Sequence, residues 1–428
     1  MKIIVGSFPA EQSWSEPGAP KLSPFRLPDM ATRSLDEMLF PLCEDEDVLC
    51  TRLHRHATMS KYHTSLGFRH VERACTDDTL DPRETYVLLG DEMHEAWLAR
   101  AILSGAQLTP WAVTHESAAL FARQGLRVHP SADIAARVNS KVWSTELRKR
   151  TNDRYPCVVT STWEELLSLG RDYLERYGVI VIKEPFGVSG SGTTRVDSER
   201  RLLNLIKTLS SREGADNVAQ MIVEPFLNRA FDFSTYLDIK PDGRVHRLGV
   251  QEILVSGFSW SAIMPMSAEH ERSALTPTYF AVVDDACRAL FEDGYHGPVC
   301  IDSMVLTNDD VVPIIEINAR LSVGRVNQHL DKALAAYDCR SYLSVVRTSL
   351  NYNQIDDLFD ALRATGALFE VDHNEGILPL TSNTLRSDVQ DETPGRMYYA
   401  VAFRHICAIQ RYKELLRAAL ELLGARIF

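Results

Sequence analysis

The stretch VIVIKEPFGVSGSGTTRV, residues 179–196, sets Lys183 at the end of an apolar run and follows it with a loop of Gly, Ser and Thr. Glycines let several backbone N–H groups converge on one anion, and the lysine adds a full charge beside them. Gly187, Gly190 and Gly192 supply that freedom, while Ser189, Ser191, Thr193 and Thr194 add hydroxyl donors. The chemistry this suits is the holding of phosphate groups. It is not a Walker A loop, because Lys183 precedes Gly187 and Gly192 is followed by Thr193. The glycine spacing does not fit a dinucleotide turn either. Alone, such a loop is equally well a mobile connection.

A second constellation is CIDSMVLTNDDVVPIIEINAR, residues 300–320, which reads as a β-hairpin turning at TNDD. Side chains alternate along a strand, so Glu316, Asn318 and Arg320 share one face and Ile315, Ile317 and Ala319 the other. A turn symmetric about Asp309 places Asp302 across from Glu316. Two carboxylates at cross-strand distance repel each other, and a bound cation removes the conflict. Mg²⁺ suits the site, since it takes oxygen ligands and is often shared with substrate phosphates. The alternative, two solvated surface carboxylates, fits poorly with the apolar flanks. A third stretch, QMIVEPFLNRAFDFS (220–234), is an apolar strand ending in Glu-Pro-Phe-Leu and decides nothing alone.

These groups need a scaffold, and 428 residues are enough for two or three domains. The chain is 45% hydrophobic and 24% charged, the composition of a soluble globular protein. Its net charge of −12 makes non-specific nucleic-acid binding a poor expectation. No run is long and apolar enough for a membrane span. MKIIV is too short for a signal-peptide core and reads as a first strand, and the eight cysteines are scattered without a C-x-x-C pair, so a reducing cytoplasm is expected. Each cysteine is expected to be a small buried apolar residue.

Residues 1–135 read as an α/β unit, with KIIV and TYVLLG (85–90) as strands and DEMHEAWLARAILSG as a crossover helix. NSKVWSTELRKR (139–150) predicts a helix with Asn139 or Ser140 as N-cap, and TWEELLSLGRDYLERYG (162–178) one that ends at Gly178. ERRLLNLIKTLSSR predicts another helix, and VAQMIVEPFL (218–227) a strand. FDFSTYLDI, VHRLGVQEILV, VCIDSMVL and VVPIIEINA favour β-structure. Beyond residue 335 only the closing helix, ICAIQRYKELLRAALELLGARIF, is legible, and its apolar face fits core, lid or subunit contact. His54, His56 and His63 carry no zinc spacing with cysteine or carboxylate and read as loop or surface histidines.

The order Lys, Gly-rich loop, Glu-Pro hinge, Asp, then Glu-x-Asn-x-Arg resembles the ATP-grasp superfamily of carboxylate ligases. IKEPFGVSGSGT is similar to its lysine and triphosphate loop, VEPFL to its adenine hinge, EINAR to its metal signature with Ala319 where proline is commoner, and NSK to an earlier ATP-contacting lysine. The resemblance covers roughly 136–335. It implies α/β and α+β architecture: a pre-ATP-grasp α/β domain (1–135), a two-lobed ATP-grasp fold (small lobe about 136–225, large lobe about 226–335), and a C-terminal α+β extension (336–428) packed on it.

By that resemblance, Lys141 and Lys183 contact the α- and β-phosphates, and Gly187, Ser189, Gly190, Ser191, Gly192 and Thr193 cover the triphosphate. Glu224 sits at the hinge, where the Pro225 carbonyl and Leu227 N–H read adenine, and Asp232 takes the ribose. Asp302, Glu316 and Asn318 hold Mg²⁺, with Mn²⁺ as a substitute, and Arg320 faces the reacting carboxylate or the transferred phosphate. The activity implied is ATP-dependent activation of a small carboxylate, an amino acid above all, as an acyl phosphate with release of ADP. The layout is similar to the amino-acid and peptide ligase branch of specialised metabolism, whose acceptor is an amine or peptide. Some relatives instead use the thiol of a carrier protein, and a nucleotide-binding regulator without turnover remains a third reading. GFSWSAIMPMS (257–267) and RLSVGRVNQH (320–329) are candidate acceptor and carboxylate contacts, with Arg325 as a second cation or a surface ion pair. A homodimer is an open arrangement.

Overall fold

The computed structural model describes residues 1–16, 19–22, 29–125, 128–150, 154–187, 190–211, 220–372, 374–386 and 394–428. Strands β1 (Lys2–Val5), β2 (Val48–Thr51), β3 (Val71–Ala74) and β4 (Gln107–Pro110) form a parallel sheet in the order β3-β2-β1-β4. KIIV and VLCT are apolar runs because a parallel sheet is covered on both faces. The strand expected over 85–90 is instead a helical turn, Thr85–Leu88, ahead of helix Glu92–Leu103. A short apolar run carries no period, so it fits either structure. Here the Thr85 hydroxyl donates to Asp36 Oδ2 at 2.6 Å while Leu88 and Leu89 are buried in the core of this sheet.

Asp36 lies just past the ends of β1 and β2, against Gly6, and accepts from Arg52 N at 2.6 Å. Burial pushes its carboxyl up to about 7, against the lowering by those hydrogen bonds, and burial pushes Glu84 up to about 7 as well. From about pH 4 to about pH 7 the folded chain therefore keeps protons that the unfolded chain releases, so stability falls as pH rises through that window. One such group contributes at most about 1.4 kcal/mol per pH unit. Denaturant unfolding at several pH values from about 4 to about 7 measures the slope. Asp36→Asn, which keeps an acceptor but cannot ionise, is expected to flatten it, and an unaltered slope would refute the assignment.

Strands β5 (Val158–Thr160), β6 (Ile180–Lys183), β7 (Thr193–Val196) and β8 (Met221–Pro225) make an antiparallel sheet in the order β5-β8-β6-β7. Helices Trp163–Tyr177 and Glu199–Ser210 back it, burying Leu166, Tyr173, Leu202 and Leu209 against Ile180 and Ile182. The first ends at Gly178, whose φ of 76° suits glycine.

A larger antiparallel sheet contains β9 (Arg229–Ile239), β10 (Val245–Ser256), β11 (Ser259–Pro265), β12 (Gly297–Leu306), β13 (Val311–Asn318), β14 (Arg340–Thr348), β15 (Gly376–Pro379) and β16 (Gly395–Phe403). Its eight strands run β13-β12-β9-β10-β11-β14-β16-β15. Helix Pro277–Glu292 packs on the face carrying Phe233 and Leu237. Helix Val323–Leu334 crosses the opposite face, where a Cβ at Gly324 would collide with the Tyr236 hydroxyl.

Residues beyond 335 thus continue this sheet, and they also share one core with the first 135: Ile4, Phe40, Phe359, Phe369, Tyr399 and Leu420 belong to a single cluster. The Glu37 carboxylate accepts from Ser382 N at 2.8 Å and Ser382 Oγ at 2.6 Å, and also from Asn383 N. His63 corrects its sequence reading. It is fully buried on helix Ala57–Ser65, with Nε2 2.8 Å from the Pro379 carbonyl, because the late segment covers the helix. His54 is exposed. Six of the eight cysteines are buried, Cys43 is half-buried, and Cys407 is exposed at the start of helix Cys407–Leu422, against expectation. Among the described residues no helix is long and apolar enough to cross a membrane.

Candidate active site

The first cluster grows from β6. Lys183 closes the strand because the apolar residues before it fill the core, and its side chain emerges at the mouth of the loop. Thr193, the first residue of β7, lies directly across from it. Val181 lies across from Glu224, so Lys183 and Glu224 share a face. Lys183 Nζ pairs with Glu224 Oε1, and Arg148 Nη1 stands 3.3 Å from Glu224 Oε2. Burial works to raise the Glu224 carboxyl, but the two cations outweigh it and hold it below its ordinary value. The Glu224 side chain thus engages the phosphate-side lysine, while the hinge reading rests on backbone groups. Pro225 pairs with Ile180 in the sheet, Phe226 N donates to the Val179 carbonyl at 2.9 Å, and Leu227 follows in the link to β9.

The loop itself is tightly placed at its glycines. A Cβ at Gly187 would meet the Ser191 carbonyl, and one at Gly190, with φ +78°, would meet the Phe258 carbonyl at the tip of the β10–β11 hairpin. Gly192 N-terminal to β7 has φ +73° and faces the Glu184 side chain. Ser191 lies between them, and Ser189 falls outside the described residues.

The second cluster grows from the β12–β13 hairpin. Asp302 lies directly across from Glu316, and Cys300 across from Asn318. Near the turn the register is different: Val305 faces Val311, so the turn centres on Asn308 and not on Asp309. A bulge reconciles the two, with Ser303 facing Pro313 to Ile315. Pro313 is tolerated there because β13 is the sheet edge and a bulge needs no ladder donor. Asn318 Nδ2 donates to Asp302 Oδ2 at 3.2 Å, and Ser234 Oγ donates to Asp302 Oδ1. Burial, and next the Glu316 carboxylate opposite, push Asp302 up to about 6.

Lys141 joins the clusters. It opens helix Lys141–Arg150, where Ser140 Oγ accepts from Val142 N at 3.2 Å. Asn139 instead closes helix Ala132–Val138, so of the two expected N-caps the serine serves. Lys141 Nζ lies 2.8 Å from Glu316 Oε1 and 3.0 Å from the Gly187 carbonyl. Asp232 is buried on β9, with Oδ2 2.9 Å from Arg229 Nη1. Burial raises its carboxyl, offset by Arg229, and Oδ1 has no hydrogen-bond partner among the described residues.

Arg320 follows β13, with Nη2 3.1 Å from Asn318 Oδ1 and Nη1 2.9 Å from the Leu321 carbonyl. Nη2 also pairs with Glu11 from helix Ala10–Trp14. Arg325 stands on the first turn of helix Val323–Leu334, 3.7 Å from Asp238 Oδ2, with Nε and Nη1 buried and without hydrogen-bond partners among the described residues. Trp260 and Met264 lie on β11, in the stretch read as an acceptor contact.

Sequence reasoning missed Arg148, Ser234 and Glu11. Arg148 lies seven residues after Lys141, two turns along the same helix face, so the lysine pointed to it. No signal in the sequence ties Glu11 to a residue 309 positions later. The two clusters together offer Lys141, Lys183 and Arg148 as cations for a polyphosphate beside a carboxylate–amide set for a divalent ion. The Asp302–Glu316 repulsion fits that ion, which would relieve it.

No protein-family model matches the chain. A butirosin acyl-carrier protein–L-glutamate ligase of Niallia circulans is 28% identical over 163 residues, 37% of this chain and 36% of that protein, so the match spans about a third of the relative's length. Carboxyaminoimidazole ribonucleotide synthase from Aspergillus clavatus, complexed with ATP, superposes at a TM-score of 0.53 and 12% identity, covering 98% of each chain. The biotin carboxylase domain of Hydrogenobacter thermophilus 2-oxoglutarate carboxylase, a dimer with MgADP, ADP and bicarbonate, gives 0.56 at 13% identity, covering 100% of this chain and 90% of that one. At such identities the structural likeness is one of fold.

Proposed function

We propose that this chain, which has the ATP-grasp fold, is an ATP- and Mg²⁺-dependent ligase that activates the carboxylate of an amino acid or small acid and joins it to an amine. The observation that carries this reading is Asp302 directly across from Glu316, with Lys141 bridging Glu316 to the Gly-rich loop. A polyphosphate site and a divalent-ion site are thereby one site.

A carboxylate oxygen of the substrate attacks the γ-phosphorus, the bond to the bridging oxygen breaks, and ADP leaves. The amine nitrogen then attacks the acyl carbon, phosphate departs, and the nitrogen loses a proton. Such transfer asks the protein mainly for positioning and charge neutralisation. Lys141 and Lys183 hold the phosphates, and the loop glycines bring backbone donors close enough to exclude water. Asp302, Glu316 and Asn318 hold Mg²⁺, which when bound neutralises charge on the phosphate oxygens. Arg320 orients the carboxylate, and Arg325 offers buried guanidinium donors to the same or a second carboxylate. Glu224 and Arg148 keep Lys183 aimed before nucleotide arrives.

A second reading keeps the chemistry and changes the acceptor to a carrier-protein thiol. The relative whose name states a carrier-protein substrate favours it.

Lys183→Ala is expected to lower ATP turnover on the order of 100-fold with the fold retained; near-normal turnover would sink its phosphate role. The reading as a whole is tested by ADP release with Mg·ATP, screening amino acids with and without hydroxylamine. Hydroxamate and ADP appearing with one amino acid establish carboxylate activation. ADP appearing only with an added amine, peptide or carrier protein moves the assignment to that acceptor. ATP binding without any turnover refutes the ligase reading.

A further inference from the structure

We propose that Arg347 and Arg396 form a recognition site for a phosphate ester carried by the acceptor, a proposal that rests on the ligase reading above in its carrier-protein form. β14 and β16 pair so that Arg347 lies directly opposite Arg396. Residues directly opposite share a face of the sheet, and like charges there repel. This is the inverse of the Asp302–Glu316 arrangement, and an anion relieves it as a cation relieves the other.

The register shows which face this is. Arg347 shares a face with Leu343, which lies across from Ile263. Ile263 lies across from Ile253, and Ile253 across from Asp232. Ser234, two residues from Asp232, lies across from Asp302. The arginines therefore stand on the face that carries the divalent-ion set. They also stand at the end of the sheet that meets the Gly-rich loop. β14 runs antiparallel to β11, so its Arg347 end points the same way as the hairpin tip at Phe258, which packs on Gly190; the pairing with β11 stops at Ser344, and beyond it Ile427 lies across from Thr348 and Phe428 N donates to the Arg347 carbonyl at 3.0 Å. Strand spacing puts β14 ~14 Å and β16 ~19 Å from β9. A group bound there lies outside the reacting centre but within reach of it through an extended arm.

Among the described residues the local balance is positive. Arg396 donates to Thr32 Oγ1 at 3.3 Å and pairs with Asp29, at the start of helix Met30–Arg33. Arg347 is exposed and takes no carboxylate among the described residues. Among the described residues two guanidinium groups thus face one side-chain carboxylate, in a chain of net charge −12. Two planar forks suit the several oxygens of a phosphate. Tyr398, on the same face two residues from Arg396, is buried with its ring 6.4 Å from that of Trp260, and it supplies an apolar wall between the arginines and the hairpin.

The test uses pantetheine and pantetheine 4′-phosphate, which differ only in the phosphate, titrated into the full chain by calorimetry with ATP binding measured alongside. The phosphorylated probe is expected to bind at least ~10-fold more tightly. Arg347→Ala is expected to remove most of that preference while binding of pantetheine and of ATP stays unchanged, and Arg347→Lys to restore part of it. Equal binding of both probes by the wild type, binding of neither, or an unchanged preference in Arg347→Ala overturns the proposal. Glutamate competing as well as the phosphorylated probe assigns the arginines to a carboxylate and also overturns it. Failure of the chain to bind ATP would count against the ligase reading and leave a measured phosphate preference standing.

Discussion

Arg320→Ala is expected to lower turnover on the order of 1,000-fold or more while ATP affinity changes only a few-fold. The argument is positional. Arg320 stands beyond Asn318, on the side of the divalent-ion set that Glu11 reaches. Its Nε is buried without a hydrogen-bond partner among the described residues. A guanidinium already held at one edge by Asn318 and Glu11 keeps that donor for a group that arrives, so its contribution belongs to the reacting centre. Arg320→Lys should recover little, because an ammonium cannot reproduce the fork. Turnover and ATP dissociation constants measured on the same preparations decide the matter. Equal losses in both would make Arg320 a nucleotide anchor.

Glu316→Ala is expected to abolish the Mg²⁺ dependence of turnover, with activity falling on the order of 100-fold or more. Three effects act together in this substitution. One ligand is lost, Lys141 loses its 2.8 Å partner, and Asp302 loses the like charge that helps hold its carboxyl up to about 6. The last gives a readout independent of activity, because the Asp302 carboxyl should titrate lower in Glu316→Ala. A Mg²⁺ titration that matches the wild type would refute the metal assignment.

The placement of the residues in the two clusters was legible because each depends on local pattern. Alternation put Glu316 and Asn318 on one face, and a tight turn put Asp302 opposite. The turn centre was misplaced by one residue, and the Pro313 bulge compensated, so the carboxylate pairing came out as expected for a partly different reason. Lys183 was legible as a charge ending an apolar strand. TYVLL was misread because a run without period has no preferred secondary structure, and the Thr85–Asp36 hydrogen bond selected a helical turn. The placement of β14 to β16 was illegible, because their partners are β11 and residues of the first domain. So was Glu11. Tertiary contacts across hundreds of residues leave no trace in a window of sequence.

The bonds from Glu37 to Ser382 and Asn383 join residues about 345 positions apart. A ribosome adding ~5–20 residues per second needs on the order of 20–70 s to travel from one to the other. During that interval the nascent first 135 residues carry an uncovered Glu37 and His63, and the growing sheet ends at β11 with an open edge. Closure awaits β14 and β16. A chain interrupted before them would expose both the edge and the apolar surface that the shared core covers, so such a fragment should collect as aggregate and be a substrate for chaperones. Biogenesis of this protein is therefore timed by its last hundred residues, and synonymous changes that slow translation there should lower the soluble yield without altering the purified product.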